Sequence, residues 1–229
     1  MVPIPRTSDR HPQRPVVTMR VLPPFILLGD AWLMFLSDPP ASDLAEALYD
    51  QDRESDGYVS NTTRLWCWRP DVLKDFFGVR STLSGGSALS PADQAVLFAA
   101  TAAARSDSYC GLAWGTRLAG HAGPDAAAQV MTGTTGGLDP RAAALADWAR
   151  RVARDPGAAT PADISRLHDV GLTDQQIFEA TVLIAWRVAF TAVNAALGAQ
   201  PDAQLAEAAP AAVRAAVSYG RPPAAVPSV

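Results

Sequence analysis

Apolar residues between positions 90 and 198 fall in long runs bracketed by helix-starting and helix-stopping residues, not in strict alternation. Ser90-Pro91-Ala92-Asp93 places a cap, a proline at the first helical position and an acid at the third. This predicts a helix continuing through Val96 to Ala104. Asp139-Pro140 opens another, which reaches Arg154 before Pro156-Gly157 stops it, and Thr160-Pro161-Ala162-Asp163 opens a short third ended by Gly171. Thr173-Asp174-Gln175-Gln176 is a capping box starting a long helix to Leu197, with Gly198 as terminator. That helix is apolar nearly all round, so it is expected to run through the middle of a bundle. Alternating segments between hairpin turns are missing from the pattern, and the predicted class is all-α. Ile177 to Leu197 has the length of a membrane helix, but Glu179, Arg187 and Asn194 interrupt it and favour a core helix.

The ends read differently. Residues 1–24 carry six prolines (Pro3, Pro5, Pro12, Pro15, Pro23 and Pro24) among polar residues and are expected to form a flexible arm, with Met19 offering an alternative start. The apolar run from Phe25 to Leu36 is broken by Gly29 and Asp30 and is too short to span a bilayer. Residues 25–209 form the expected helical domain, and the Pro/Ala-rich tail 210–229 is expected to lie loosely over it. A weak echo links Leu89-Ser90 through Leu118-Ala119-Gly120 with Leu172-Thr173 through Leu197-Gly198-Ala199. An internal duplication of a helical segment fits this echo, and so does chance.

Composition narrows the function classes. Of the 229 residues 48% are hydrophobic and 18% charged, with a net charge of −4, so nothing outside the arginines of the arm recruits a phosphate backbone and no nucleic-acid partner is expected. Lys74 is the only lysine, which leaves Schiff-base chemistry to it or to the α-amino group. Two cysteines, Cys67 and Cys110, build neither a disulfide framework nor a zinc cage, and a reduced, cytoplasmic setting is the default. His11, His121 and His168 show no metal-ligand spacing, and neither metal nor organic cofactor is called for. The glycine-rich Thr132–Gly137 stretch lacks the lysine and preceding strand of a phosphate loop and reads as a connection over the site. Trp66, Trp68 and Trp186 suit a core or an interface. Arg187, inside an apolar helix, needs a carboxylate partner, or else holds an anionic substrate.

The segment best suited to chemistry is Arg105-Ser106-Asp107-Ser108-Tyr109-Cys110-Gly111-Leu112-Ala113-Trp114. Asp107 caps a new helix, placing Cys110 at its third position, where partly positive backbone N–H groups favour thiolate. The Asp107 carboxylate opposes this, and spacing alone does not fix the sign of the net shift. A small buried cysteine packed like alanine fits the same spacing. A sulfur reachable in a closed pocket, with Asp107 or Arg117 near it, favours chemistry, whereas one sealed among alkyl groups does not.

Several stretches resemble the alkylhydroperoxidase D and carboxymuconolactone decarboxylase family: Arg69-Pro70-Asp71-Val72-Leu73, Leu89-Ser90-Pro91-Ala92-Asp93-Gln94 and Ser108-Tyr109-Cys110. The match continues through Asp139-Pro140-Arg141, Arg154-Asp155-Pro156, Gly171-Leu172-Thr173-Asp174 and Ala196-Leu197-Gly198, over most of residues 55–205. The resemblance implies an AhpD-like helical bundle, a homo-oligomer and a small-molecule substrate. Peroxidases of the family use a Cys-x-x-Cys pair with a relay glutamate and histidine. Here Asp107 stands at the first cysteine position, Trp114 at the histidine position and Ala95 at the glutamate position, with Asp93 the nearest acid. A dithiol cycle at this site is therefore excluded. The resemblance then implies a single-cysteine oxidoreductase in which Cys110 attacks a peroxide, Asp107 positions or relays a proton, and Tyr109 donates a hydrogen bond. An external thiol, or Cys67, would restore the sulfur, and Trp114, Arg117 and Asp93 would contact substrate. A cofactor-free lyase or isomerase, including a biosynthetic one, is the alternative, with Asp107 as base and Cys110 lining the cavity. A third reading is a non-catalytic ligand-binding or assembly protein.

Overall fold

A computed structural model describes residues 34–225. Its elements are α1 (Asp43–Asp56), α2 (Asn61–Trp66), α3 (Pro70–Gly85), α4 (Pro91–Ala104), α5 (Ser108–Ala122), α6 (Pro124–Thr132), α7 (Pro140–Arg154), a 3-10 turn at Pro156–Ala158, α8 (Pro161–Asp169), α9 (Asp174–Ala196), α10 (Ala203–Ala208) and α11 (Ala211–Ala216). No strand occurs among the described residues, and the all-α expectation holds. The arm 1–24 and most of the run from Phe25 to Leu36 lie outside the described residues.

The capping chemistry sets the helix starts as anticipated. Ser90, Thr160 and Thr173 each accept a hydrogen bond from the third helical residue, while Asp93, Asp163 and Gln176 bond back to the cap, so α4, α8 and α9 all begin on reciprocal boxes. Asp139 caps α7 through the amides of Arg141 and Ala142. Gly171 and Gly198 follow α8 and α9 with φ of 81° and 82°, a backbone turn that L side chains resist.

The centre of the bundle is α4, not α9. Every position of α4 from Ala95 to Ala102 is buried, because α5, α6, α7 and α9 all pack around it. Small residues make this enclosure feasible: four alanines among those eight positions let neighbouring backbones approach closely. The long helix α9 is amphipathic in practice, burying Ile177, Ala180, Leu183, Ile184, Trp186, Arg187 and Phe190 while leaving Phe178 67% exposed. Its apolar length serves a one-sided packing surface. The echo noted in the sequence is confined to the caps, since one segment is broken into α4 and α5 and the other runs unbroken as α9.

An aromatic cluster fills the space between α3, α5 and α9. Phe76 stacks on Trp186 at 4.8 Å, Trp186 on Phe190 at 5.8 Å, Trp66 on Phe190 at 5.3 Å, and Phe98 meets Trp114 at 4.4 Å. Trp66 and Trp186 are thus core residues, whereas Trp68 is exposed and donates to the Ser37 carbonyl. Each such pair adds about 0.5–1.5 kcal/mol beyond simple burial.

The C-terminal stretch is not loose. Helix α11 docks against α5 and α6 with Val213 and Ala216 buried, because Gly115 on α5 leaves room for Val213. A Cβ at Gly115 would stand 2.7 Å from Cγ1 of Val213. Gly115→Ala is therefore expected to lower stability by about 1–3 kcal/mol in chemical denaturation. Adding Val213→Ala removes the clashing methyls, so the double variant should be less destabilised than the sum of the singles; strict additivity would contradict the close approach.

Candidate functional site

Helix α4 ends at Ala104, and the chain reverses through Arg105, Ser106 and Asp107 before α5 begins. The corner is tight: Asp107 donates its amide to the Ala102 carbonyl at 2.9 Å, and Ser106 takes φ of 53°. Asp107 then caps α5, its Oδ1 accepting from the Cys110 amide at 3.0 Å. Cys110 sits at the third helical position, as the spacing predicted, and its sulfur points into the core beside α9.

Cys110 is only 2% exposed and belongs to the hydrophobic core, yet polar groups also reach its side chain. A guanidinium nitrogen of Arg187 donates to Cys110 Sγ at 3.3 Å. The Asp107 carboxyl, held at the same turn by its bond from the Cys110 amide, acts electrostatically on the thiol. Tyr219, from beyond α11, closes over the group: its hydroxyl would lie 3.1 Å from a Cβ on Gly111, and Asp107 and Cys110 both act electrostatically on it. The side chain is sealed in the core, with ionisable groups among its neighbours.

Burial governs the electrostatics. Desolvation pushes the Cys110 thiol well above its ordinary value, and the Asp107 carboxylate adds to the shift, while Arg187 opposes both incompletely. The sign that spacing left open is thus upward, and Cys110 rests as a thiol. Desolvation also raises the Asp107 carboxyl, against the hydrogen bond from the Cys110 backbone and the Arg187 charge. Tyr219 is raised by burial and then by Asp107 and Cys110. Asp107 Oδ2, Arg187 Nε and the Tyr219 hydroxyl are all buried without a hydrogen-bond partner among the described residues. Such orphaned atoms are uncommon in folded cores, and three of them lie on residues that act on or contact the Cys110 group.

Arg187 corrects an expectation. No carboxylate lies within ion-pair distance of it among the described residues. Its guanidinium instead lies over Phe98 at 4.6 Å, Trp186 at 4.8 Å, Trp114 at 5.1 Å and Phe190 at 5.3 Å. The ring faces supply the negative potential that a carboxylate would otherwise provide.

Of the remaining candidates, Trp114 and Arg117 belong to this neighbourhood, with Arg117 over the Trp114 ring at 4.8 Å. Tyr109 does not. Its hydroxyl is committed to Asp202, the residue preceding α10, which also accepts the Asn61 amide, so Tyr109 ties α5 to α2 and α10. Asp93 is committed elsewhere as well: it caps α4 and pairs with Arg141 at 3.1 Å, about 16 Å along the helix from the end next to Cys110. Cys67 closes α2 beside Tyr49, apart from the Cys110 group. The glycine-rich connection joins α6 to α7, tied down by the Gly137 amide to Gln129, and contributes no neighbour to Cys110. A separate open groove along α7 and α8 is arginine-rich, but Arg150 and Arg166 are paired with Asp147 and Asp163.

Two participants were not foreseen. Tyr219 sits in a Pro/Ala-rich stretch whose composition gave no cue. Arg80 lies four residues after Phe76 on α3, and so shares its inward face; its guanidinium reaches the Trp114 ring at 5.3 Å. Burial and the positive charges of Arg187 and Arg117 pull the Arg80 pKa down to about 10.

With this geometry in place, comparison with solved structures is informative. An alkylhydroperoxidase AhpD core, a peroxidase-related protein from Ralstonia eutropha JMP134, superposes with a TM-score of 0.70 at 21% identity, over 77% of this chain and 96% of that one. A peroxidase-related protein from Silicibacter sp. TM1040 gives 0.69 at 20% identity, over 78% and 97%. The debrominase Bmp8, as a cysteine-to-alanine variant in complex with 2,3,4-tribromopyrrole, gives 0.62 at 14% identity, over 75% and 94%. No protein-family model and no curated protein sequence matches the chain. The chain has the AhpD-core fold, as the motif resemblance implied.

Two measurements check the site. Cys110 alkylation in the native protein should be slow at neutral pH and keep rising past about pH 8.5, the ordinary thiol value, without levelling there. A plateau below that pH would mean a standing thiolate. Tyr109→Phe should cost about 1–3 kcal/mol of stability by stranding Asp202, while leaving the Cys110 alkylation profile unchanged.

Proposed function

We propose that the chain is a thiol-dependent oxidoreductase acting on a small molecule through Cys110. The observation that carries this reading is the placement of one sulfur between an acid that can take its proton and a guanidinium that can hold its charge. Asp107, its own acidity weakened by burial, accepts the thiol proton as the sulfur attacks, and Arg187 stabilises the developing thiolate. With a peroxide, sulfur takes the distal oxygen, the O–O bond breaks, and the proton on Asp107 passes to the departing alkoxide. The products are a sulfenic acid and an alcohol. One external thiol then condenses with the sulfenic acid, releasing water, and a second restores Cys110 while forming a disulfide. The external thiol is needed because Cys67 lies beside Tyr49, away from the reacting sulfur.

Substrate access in this reading requires the segment carrying Tyr219 to move. It has no regular structure beyond α11 and is fastened by the Ser108 hydroxyl to the Arg221 carbonyl, Arg221 to the Ala195 carbonyl, and the Ala224 amide to the Pro201 carbonyl. Few such bonds make a segment that opens before the core does. The likeness to peroxidase-related proteins supports the reaction class, and the brominated ligand in complex with a cysteine variant of the debrominase supports a cysteine on this fold working on a flat organic molecule. Exposed Val72 and Val79 on α3 and Phe178 on α9 support the homo-oligomer that the resemblance implied.

A second reading, a cofactor-free lyase or isomerase, is favoured by the unpartnered Asp107 Oδ2, which is free to act as acid or base. Substitution separates the two. Under the thiol reading, Cys110→Ser abolishes peroxide consumption and dimedone labelling, and Asp107→Asn, which keeps an oxygen for the helix cap, slows turnover by roughly 100-fold. Turnover that survives Cys110→Ser but fails in Asp107→Asn moves the assignment to the lyase. Tyr219→Ala should speed Cys110 alkylation by roughly tenfold or more if the segment is the barrier, an effect on opening that reads in exchange of the thiol with solvent.

A further inference from the structure

We infer that Arg80, Arg117 and Arg187 form an anion-binding site around Trp114, which takes the carboxylate or phosphate group of a small organic substrate whose reactive end reaches Cys110. The inference deepens the proposed function and rests on it only for the last clause. Three guanidiniums lie within 5.3 Å of one indole ring, at 5.3 Å for Arg80, 4.8 Å for Arg117 and 5.1 Å for Arg187. None of the three has a carboxylate within ion-pair distance among the described residues.

Arg187 has three further rings, but Arg80 and Arg117 have Trp114 alone, and aromatic faces lower the energy of cations without cancelling their charge. Like charges gathered this closely repel, and the positive form of Arg80 is disfavoured first by burial and then by both of its neighbours. Arg187 is 3% exposed with Nε unpartnered, and Arg80 also buries an unpartnered Nε. A guanidinium edge left with free N–H groups is a fork that fits two oxygens of a carboxylate or phosphate. Position orders the three. Arg117 is exposed and Arg80 half-buried, so they face the approach, while Arg187 lies deepest and also contacts the Cys110 sulfur. An anion entering between them would relieve the repulsion and bring the rest of its molecule toward the thiol. Asp107 acts electrostatically on Arg187 but lies outside ion-pair distance; its Oδ1 is taken by the α5 cap, and its Oδ2 makes no hydrogen bond among the described residues.

The test uses the full chain carrying Cys110→Ser, so that its result does not depend on thiol chemistry. Inorganic phosphate and, separately, benzoate are titrated against chloride at matched ionic strength, read by calorimetry and by thermal unfolding. Binding by at least one, weakening with added salt, is expected. Arg117→Gln, an exposed change that the fold tolerates, and Arg80→Gln should each weaken it by roughly tenfold or more. Phosphate binding without benzoate binding assigns a phosphorylated substrate, and the reverse assigns a carboxylic acid. The inference is overturned if neither anion differs from chloride, or if binding is indifferent to both arginine changes. It is overturned too if Arg117→Gln instead dissociates an oligomer, since a carboxylate of a second copy would then be the occupant. Failure of peroxide turnover in the unmodified protein, with anion binding intact, would count against the thiol reading alone.

Discussion

A guanidinium enclosed in a helical core has to be compensated, and the way Arg187 is compensated organises this molecule. An acid partner would have cancelled its charge and ended its chemistry. The fold instead surrounds it with the faces of Phe98, Trp114, Trp186 and Phe190, drawn from α4, α5 and α9, and sets the Cys110 sulfur against one nitrogen. Aromatic faces lower the energy of the cation without neutralising it, so positive potential survives in a place from which water is excluded. A charge of that kind acts strongly on whatever forms next to it. The neighbour able to become negative is a thiol.

The same constraint explains why the resting sulfur is protonated. Charge on Cys110 would lie beside Asp107 as well as Arg187, in a setting that penalises every isolated ion. The thiol, the carboxyl and the guanidinium are therefore a coupled set, in which moving one proton from sulfur to carboxyl changes the balance for all three. Tyr219 adds an unpartnered hydroxyl at the same point. Asp107 stands where the motif resemblance places the first cysteine of the family's pair, and Trp114 where it places the histidine; the Trp114 ring lies under the Arg80 and Arg117 guanidiniums.

Much of this was legible in the chain. Reciprocal capping boxes at Ser90, Thr160 and Thr173, prolines at first helical positions and glycines past the ends are local devices, and they fixed the starts of α4, α8 and α9 to the residue. The cap at Asp107 set Cys110 at the third position of α5 for the same reason. Tyr109 and Asp93, by contrast, were misplaced, because nearness in sequence or in a motif does not tell which way a side chain leaves its helix. Tyr109 points to Asp202 and Asp93 to Arg141, contacts that span 93 and 48 positions.

The sequence by itself determined the helical class, the bounds of α4, α7, α8 and α9 and the sulfur at a helix start, since each follows from interactions among residues three or four apart. Tertiary structure alone decided that α4 lies at the centre, that α11 and Tyr219 close over α5, and that Arg80, Arg117 and Arg187 meet at one ring. It also decided the direction of the Cys110 shift. Burial and long-range charge depend on which helix faces pack together, and that is a property of the assembled bundle, not of any segment within it.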